Sequence, residues 1–199
     1  MIQLHLLTGK SLQNKIEGLL RSTKRPGIER VISFLADRDF YTAPASTRFH
    51  GNHKGGLAEH SYNVYLLLNK KNIDYELKIP QNSVIISGLL HDICKVGFYT
   101  TGIKNIKNKD TGKWEQTQIY QINDKLIMGH GAKSVYMLQN MIRLSVQEAM
   151  MIRWHMGPFA NEGDNPYGFN DACQQVPAVC AIYTSDMEAS NLFETVDKV

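Results

Sequence analysis

Hydrophobic residues recur every three or four positions through most of the chain, and this spacing predicts a mainly α-helical protein. The first two helices are predicted over residues 11–22 and 26–39. Proline suits the first position of a helix, so Pro26 marks the start of the second one. Residues 41–56 are rich in Pro, Ser, Thr, Asn and Gly and are predicted to form a loop.

Two further predicted helices place polar side chains among apolar ones. Residues 56–72, GLAEHSYNVYLLLNKKN, put His60 on an otherwise apolar face. Residues 84–94, VIISGLLHDIC, are predicted to form a buried helix that Asn82 or Ser83 caps. This second helix ends in an adjacent histidine and aspartate, two groups that are costly to bury without a partner.

Residues 98–123 change the pattern from helical spacing to the alternation typical of a β-strand. Trp114, Tyr120 and Ile122 fall on one side of such a strand. The segment KDTGK, residues 109–113, has the composition of a turn. The sequence therefore predicts a β-hairpin inserted among helices.

Three helices are predicted in the last third of the chain. One covers about residues 131–141, and the next begins at the capping box Ser145-x-x-Glu148 and stops near a later Gly–Pro pair. The last, over about residues 175–193, places Asp186 in line with apolar side chains. The expected fold is mostly α, with one small hairpin.

Composition narrows the protein class. With 199 residues, the chain is expected to form one domain with a core of its own. The N-terminal apolar run is short and broken by His5, so we expect a cytoplasmic protein with neither a signal peptide nor a membrane partner. The three cysteines lack C-x-x-C spacing and are expected to be reduced thiols. A net charge of +3 suits an anionic substrate but falls short of the strongly basic surface typical of nucleic-acid-binding proteins.

Six residues able to bind a metal lie on or beside five separate predicted helices. They are His60, His91, Asp92, His130, His155 and Asp186. Each alone has a simpler explanation: His155 at a helix C-terminus suits the helix dipole, and a histidine on an apolar face is more often a hydrogen-bonded core residue than a ligand. Taken together, they favour a metal site.

The doublet His91–Asp92 needs a particular geometry to serve such a site. Adjacent side chains on a helix point about 100° apart, yet both can reach one ion lying off the helix end. Mixed imidazole and carboxylate ligands suit first-row transition metals such as Mn, Fe, Co, Ni or Zn. Lys95, one turn after His91, would then either face an anion bound beside the metal or be a solvated surface lysine.

Five segments, in this order, resemble the HD-domain metal-dependent phosphohydrolases, a family named for the doublet. They are GGLAEHSYNV, LLHDICKVG, YQINDKLIMGHGAKS, WHMG and YTSDMEAS, within about residues 49–192. The pattern looks closest to the branch containing HD-type 3′–5′ exoribonucleases and is also similar to small stand-alone HD hydrolases of bacteria and phages. The resemblance implies an HD-domain helical bundle over residues 46–199 with the hairpin inserted, and residues 1–45 as a helical extension.

The resemblance also implies roles for the candidate residues, and one or two divalent transition metal ions per chain. The first ion would be held by His60, His91, Asp92 and Asp186. A second would be bridged by Asp92 and held by His130 and His155. Asp92 and Lys95 would be the catalytic residues.

The chain departs from the related exoribonucleases at three places. His50 and His53 stand in the segment HGNH, where those proteins tend to have an adjacent histidine pair. Cys94 stands where they usually have glycine, and WHM has one histidine where many relatives have two. Because of these differences, the resemblance supports the second ion less strongly than the first.

The activity implied by the resemblance is hydrolysis of a phosphate ester of a nucleotide by metal-activated water. Substrate contacts are expected from Lys95, His50, His53, Arg48 and Lys133, although a plain surface role is the simpler expectation for Arg48 and Lys133. No H-E-x-x-H segment of zinc peptidases and no G-x-S-x-G segment of α/β-hydrolases occurs.

Two other functions stay open at this stage. The first is a 3′–5′ exonuclease or phosphodiesterase acting on short single-stranded or cyclic oligonucleotides. It is favoured by the lysines and aromatic side chains of the hairpin, although a solvated hairpin is the simpler explanation. The second, a non-catalytic nucleotide-binding module, is disfavoured because none of the six candidate ligands is missing. The oligomeric state is not predicted.

Overall fold

The computed structural model describes residues 8–108, 111–160 and 167–194. The protein is mainly helical with one antiparallel hairpin, which confirms the fold class expected from the hydrophobic pattern. The helices are α1 (Gly9–Ser22), α2 (Ile28–Asp37), α3 (Gly56–Asp74), α4 (Gln81–Leu90), α5 (His130–Gln139), α6 (Val146–Arg153), α7 (Gly168–Gln175) and α8 (Ala178–Glu188). The strands are β1 (Tyr99–Lys107) and β2 (Trp114–Ile122). Short 3₁₀ turns cover Ile93–Lys95 and Gly157–Ala160, and a π-helical turn, Ala189–Phe193, extends α8.

Helix α4 lies at the centre of the core. Every residue from Ser83 to Leu90 is buried, as expected for a helix that is covered on all sides. It packs against α3 so closely that a Cβ on Gly88 would lie 2.7 Å from the Cα of Tyr65. Glycine at this crossing therefore allows the contact that brings His60 on α3 near the C-terminal end of α4.

The N-terminal helices share this core. Leu12, Ile16 and Leu20 of α1 are fully buried and belong to the same hydrophobic cluster as the side chains of α3, α4 and α8. The segment expected to be an extension thus packs directly on the helices that position the site. Among the described residues, no helix combines the length and the hydrophobicity needed to cross a lipid bilayer.

Some helix boundaries differ from those expected. Helix α4 begins at Gln81, and neither Asn82 nor Ser83 caps it. The Asn82 amide donates instead to the Thr23 carbonyl, and the Ser83 hydroxyl to the Glu148 carboxylate. Both predicted caps are therefore used in tertiary contacts.

The C-terminal region is divided more finely than expected. Helix α6 ends at Arg153, and the last helix begins at Ala178 and not near residue 175. A short additional helix, α7, was not predicted. It buries only Gly168, Phe169 and Ala172, too few side chains for a recognisable period.

The predicted hairpin is present and stands largely in solvent. Its register runs from the pair Tyr99–Ile122 to the pair Lys107–Trp114. Trp114 is 71% exposed, so the predicted aromatic face does not pack on the core. At the base, the Tyr99 hydroxyl donates to the Ala45 carbonyl at 3.0 Å. Two residues of the predicted KDTGK turn, 109 and 110, lie outside the described residues.

Glu148 ties α6 to the rest of the core. Its carboxylate accepts two hydrogen bonds from the Arg25 guanidinium, at 2.5 and 3.0 Å, one from the Ser83 hydroxyl and one from the Ser145 backbone amide. The Ser145 hydroxyl in turn accepts from the Glu148 amide, which completes the predicted capping box. Burial would raise the pKa of Glu148, but these hydrogen bonds hold it below its ordinary value.

We expect Glu148→Ala to lower the free energy of unfolding by about 3 kcal/mol, because it leaves a largely buried guanidinium without its counter-charge. Urea denaturation of Glu29→Ala, whose carboxylate is 65% exposed, gives the control. A carboxyl group whose pKa is lower in the folded state stabilises the protein fully at pH values above its ordinary pKa. This contribution is lost as the pH falls through the pKa of the folded state. The difference between wild type and variant should therefore shrink below about pH 4.5. Equal stabilities of the two variants would contradict this role.

Candidate metal centre

Side chains from three parts of the fold converge at the end of α4. His60 comes from α3, His91 follows α4, and Asp186 lies on α8. The Nε2 atom of His60 is 3.3 Å from Nε2 of His91 and 3.2 Å from Oδ1 of Asp186. Both histidines are fully buried. This arrangement brings together two nitrogen donors and one carboxylate from segments far apart in sequence.

The chain conformation after α4 lets both residues of the doublet face this point. His91 is still helical, whereas Asp92 has φ −106° and ψ 22° and leaves the helix. Its carbonyl then accepts from the Lys95 amide at 2.9 Å, which begins the 3₁₀ turn. The turn redirects the Asp92 side chain, and its Oδ2 atom lies 3.6 Å from Nε2 of His91.

Each of the three buried histidines is oriented by an oxygen that accepts from its Nδ1. The acceptor is the Gly88 carbonyl for His91, at 3.0 Å, and the Ile152 carbonyl for His155, at 2.7 Å. For His60 it is a carboxylate oxygen of Glu194, also at 3.0 Å. Because these oxygens accept, Nδ1 carries a proton in each ring, and Nε2 is the atom that could bind a cation once it is free of any second proton.

Asp92 presents its two oxygens to two sides of the site. Oδ2 faces Lys95 Nζ at 2.7 Å and the first two histidines. Oδ1 faces Nε2 of His155 at 3.4 Å and Sγ of Cys94 at 3.9 Å. A carboxylate placed in this way is able to bridge two cations.

Burial and neighbouring charges shift the pKa values of the site residues. Burial would raise the pKa of Asp92, but Lys95 and the neighbouring histidines hold it well below its usual range. Burial would lower the pKa of His60, yet the carboxylates of Glu194 and Asp186 raise it to about 10. Burial lowers the pKa of His91 to about 4, so this ring is neutral near pH 7.

The residues present fit a divalent transition metal. Ligand atoms bound to one such ion at about 2.1 Å lie roughly 3.0–3.4 Å from one another, and the separations of His60 Nε2 from His91 and from Asp186 are close to this. The Nε2 atom of His155 is also buried without a hydrogen-bond partner. Leaving such an atom unsatisfied costs about 1–3 kcal/mol, and a metal ion would satisfy it.

His130 is the first residue of α5. Its donor atoms group with those of Asp92 and Cys94, whereas His155 groups with His91 and Asp92, each group within 4.8 Å. The resemblance implies that the two histidines share an ion. In the structure they belong to different groups that meet at Asp92.

A cavity of about 610 Å³ opens beside these ligands. Its walls are formed by Arg48, Phe49, His50, Asp92, Lys95, His155, Met156, Phe159, Tyr183, Asp186, Met187, Ser190, Asn191 and Glu194. Three of the five expected substrate contacts, Arg48, His50 and Lys95, are therefore at the cavity. Nε2 of His50 has no hydrogen-bond partner, and burial, with the charges of His60 and Lys95, lowers the pKa of this ring to about 4.

The other two expected contacts, His53 and Lys133, are not among the lining residues. His53 is largely exposed and lies 3.4 Å from a carboxylate oxygen of Glu59. The ammonium group of Lys133 binds the carboxylate of Asp124 at 2.5 Å and lies over the ring of Phe98. The structure thus gives both residues local partners away from the cavity.

Sequence reasoning did not identify Glu194. Its two oxygens accept from Nδ1 of His60 at 3.0 Å and from the Asn63 amide at 2.8 Å. The sequence does contain a pattern that indicates this residue. Asp186, Ser190 and Glu194 are spaced by four, from the last helix to the end of the π-helical turn that extends it. The carboxylate fixes the tautomer and ring orientation of His60.

We expect Glu194→Ala to weaken metal binding about 10–100-fold, because histidine ligands depend on the acceptor at their second nitrogen. Competition with a chromogenic chelator measures this affinity. Glu188→Ala is the matched control, since that carboxylate, at the end of α8, pairs with Lys71. Glu194→Gln keeps an acceptor oxygen and should lose less affinity. Unchanged affinity in Glu194→Ala would show that His60 needs no such support.

The chain matches one known protein family. A model of the HD domain matches residues 57–183, more than half of the chain. The match contains His60, the doublet, His130 and His155, and it ends three residues before Asp186. No curated protein and no solved structure matched the chain.

Proposed function

This chain belongs to the HD domain family of metal-dependent hydrolases, and on that premise we propose that it hydrolyses a phosphate ester of a nucleotide. The observation that supports the proposal best is the convergence of buried imidazole and carboxylate ligands beside a cavity that Arg48 and Lys95 line. The first cation would be held by His60, His91, Asp92 and Asp186.

The chemistry of the ligand set suits phosphate ester hydrolysis. A bound divalent transition metal supplies Lewis acidity, which polarises a phosphate oxygen and makes water acidic enough to react at neutral pH. Asp92 positions Lys95 through the 2.7 Å ion pair. Burial would lower the pKa of Lys95, but Asp92 raises it, so the side chain is positively charged when it meets an anionic substrate.

The remaining walls of the cavity suit the other parts of a nucleotide. Lys95 places positive charge where a phosphoryl oxygen gains negative charge, a form of electrostatic preorganisation. Arg48 provides a second cation on the same wall. Phe49 and Phe159, exposed by 71% and 86%, offer apolar faces on which a base can stack.

A matrix of metals and substrates tests this proposal. Metal-free protein is loaded separately with Mn²⁺, Fe²⁺, Co²⁺, Ni²⁺ or Zn²⁺ and incubated with nucleoside mono- and triphosphates, cyclic nucleotides and short single strands. Chromatography of the products should show metal-dependent hydrolysis of a nucleotide. Absence of turnover with every phosphate ester and every metal would refute the proposal.

The exposed hairpin favours a second candidate, hydrolysis of a short oligonucleotide. Lys104, Lys107 and Lys113 are solvent-exposed, and Lys107 is paired with Trp114, whose ring is available for stacking. Among the described residues, however, none from the hairpin lines the cavity. The two candidates therefore differ in whether the hairpin takes part.

Shortening the hairpin distinguishes them. Lys104 pairs with Thr117, so residues 104–117 are replaced by Asn-Gly, which leaves the pair Ile103–Gln118 to close the turn. We expect metal content and KM for a mononucleotide to stay unchanged, because the cavity walls are intact. A rise in KM for oligonucleotides alone would favour the second candidate, and Trp114→Ala should reproduce part of it. An equal loss on both substrates would contradict the prediction.

A further inference from the structure

Cys94 lies inside the cluster of candidate ligands and is 1% exposed. Its Sγ atom is 3.5 Å from Nδ1 of His130 and 3.9 Å from Oδ1 of Asp92. These three donors lie within 4.8 Å of one another. The other two cysteines, Cys173 and Cys180, are more exposed and belong to none of the donor groups found among the described residues.

The fold brings the thiol and His130 together through two close contacts. The 3₁₀ turn Ile93–Lys95 packs against α5, and the Cys94 amide donates to the hydroxyl of Ser134 at 3.3 Å. A Cβ on Gly131 would lie 2.1 Å from the Arg153 carbonyl, so glycine lets the start of α5 approach the end of α6. The first contact joins the turn that carries Cys94 to α5, the helix that begins with His130, and the second fixes the start of α5 against α6.

The two oxygens of Asp92 have different neighbours. Lys95 neutralises the Oδ2 atom at 2.7 Å, whereas Oδ1 faces Nε2 of His155 at 3.4 Å. That nitrogen is completely buried and has no hydrogen-bond partner. A cation beside Oδ1 would add positive charge on the side of Asp92 that faces Cys94.

We propose that Cys94 is a metal ligand: with Asp92 Oδ1 and His130 Nδ1, its thiolate holds Zn²⁺ at a second position of the centre. Sulfur, nitrogen and carboxylate oxygen are the donors that zinc prefers, and thiolate ligands disfavour Mn²⁺ and Mg²⁺. The inference rests on the metal centre of the proposed function but makes a separate claim, that one of its positions selects a thiophilic ion.

Ligation changes the protonation of the sulfur. A cysteine binds a metal as the thiolate, so the sulfur gives up its proton. On binding, the S–H bond breaks, the sulfur lone pair forms the bond to the metal, and the proton leaves to solvent. The charge of the ion compensates for the cost of a buried thiolate.

Co²⁺ reports thiolate ligation directly, because a cobalt–thiolate bond gives a charge-transfer absorption in the near ultraviolet that nitrogen and oxygen ligands do not. Metal-free protein is titrated with Co²⁺ and its absorption is recorded at each step. The wild type should develop this band, and Cys173→Ser and Cys180→Ser should develop it equally. Cys94→Ser should bind Co²⁺ at the first position without the band.

Affinity gives a second measurement on the same proteins. Loss of a direct ligand should weaken the second equivalent of Co²⁺ or Zn²⁺ by about tenfold or more, since loss of an outer-shell partner alone costs that much. Cys94→Ala, checked by circular dichroism, gives the same test without a hydroxyl at this position. If the wild type binds Co²⁺ without the band, the thiol is only a hydrogen-bond donor to His130 and the inference is overturned. If no Co²⁺ binds at all, the proposed function fails as well.

Discussion

Asp92→Ala is expected to remove most of the bound metal and to lower turnover at least about 10³-fold. Asp92 is the residue that the two sides of the centre share, with Oδ2 toward His60 and His91 and Oδ1 toward His155. Its removal takes away a ligand and also leaves the buried charge of Lys95 unpaired. Elemental analysis of the purified variant, together with the hydrolysis assay, measures both effects.

Two further variants separate loss of the ligand from loss of the fold. Asp92→Asn keeps the shape of the side chain but has no negative charge, and thermal unfolding shows whether either variant is folded. Asp74→Ala, at an exposed ion pair with Lys70 on the helix that carries His60, should keep full metal content and activity. A folded Asp92→Ala protein with a full complement of metal would contradict the assignment of the doublet.

Lys95→Ala is expected to slow turnover about 10²-fold or more while most of the metal is retained. Its ammonium group lines the cavity and contacts Asp92, but it cannot bind a cation itself. The variant therefore loses a charged contact to the phosphoryl group and keeps all candidate ligands. Metal content and kcat, measured on the same preparation, give the comparison.

The size and charge of the lysine can be tested separately. Lys95→Met keeps most of the length of the side chain without its charge and should be as slow as Lys95→Ala. Lys70→Ala removes an exposed lysine on α3 and should leave kcat unchanged. If kcat and metal content fall in proportion in Lys95→Ala, the lysine only balances the charge of Asp92 and takes no part in hydrolysis.

The elements of the fold were largely predictable because their signals are local. The hydrophobic repeat locates α1 to α6, alternation locates the hairpin, and the capping box at Ser145 and Glu148 is observed with both of its hydrogen bonds. Helix α7 was not predicted because it is short and buries few side chains. The expected caps of α4 were wrong because Asn82 and Ser83 have partners far away in the chain.

The composition of the site was also visible in the sequence, whereas its geometry was not. Residue types and their order were enough to select six candidate ligands, and the structure gathers them into overlapping groups that share His91 and Asp92. No sequence pattern assigns His155 and His130 to different groups or brings Cys94 next to His130.

Local patterns along the sequence determined which residues are helical and which are chemically suited to a metal. The tertiary structure alone decided which nitrogen of each ring faces the centre, that Glu194 orients His60, and that each oxygen of Asp92 has its own neighbours. The physical reason is distance. Helix formation depends on residues within a few positions of one another, whereas these contacts depend on how closely separate helices pack, as at the glycine of α4 that meets Tyr65 and at Gly131.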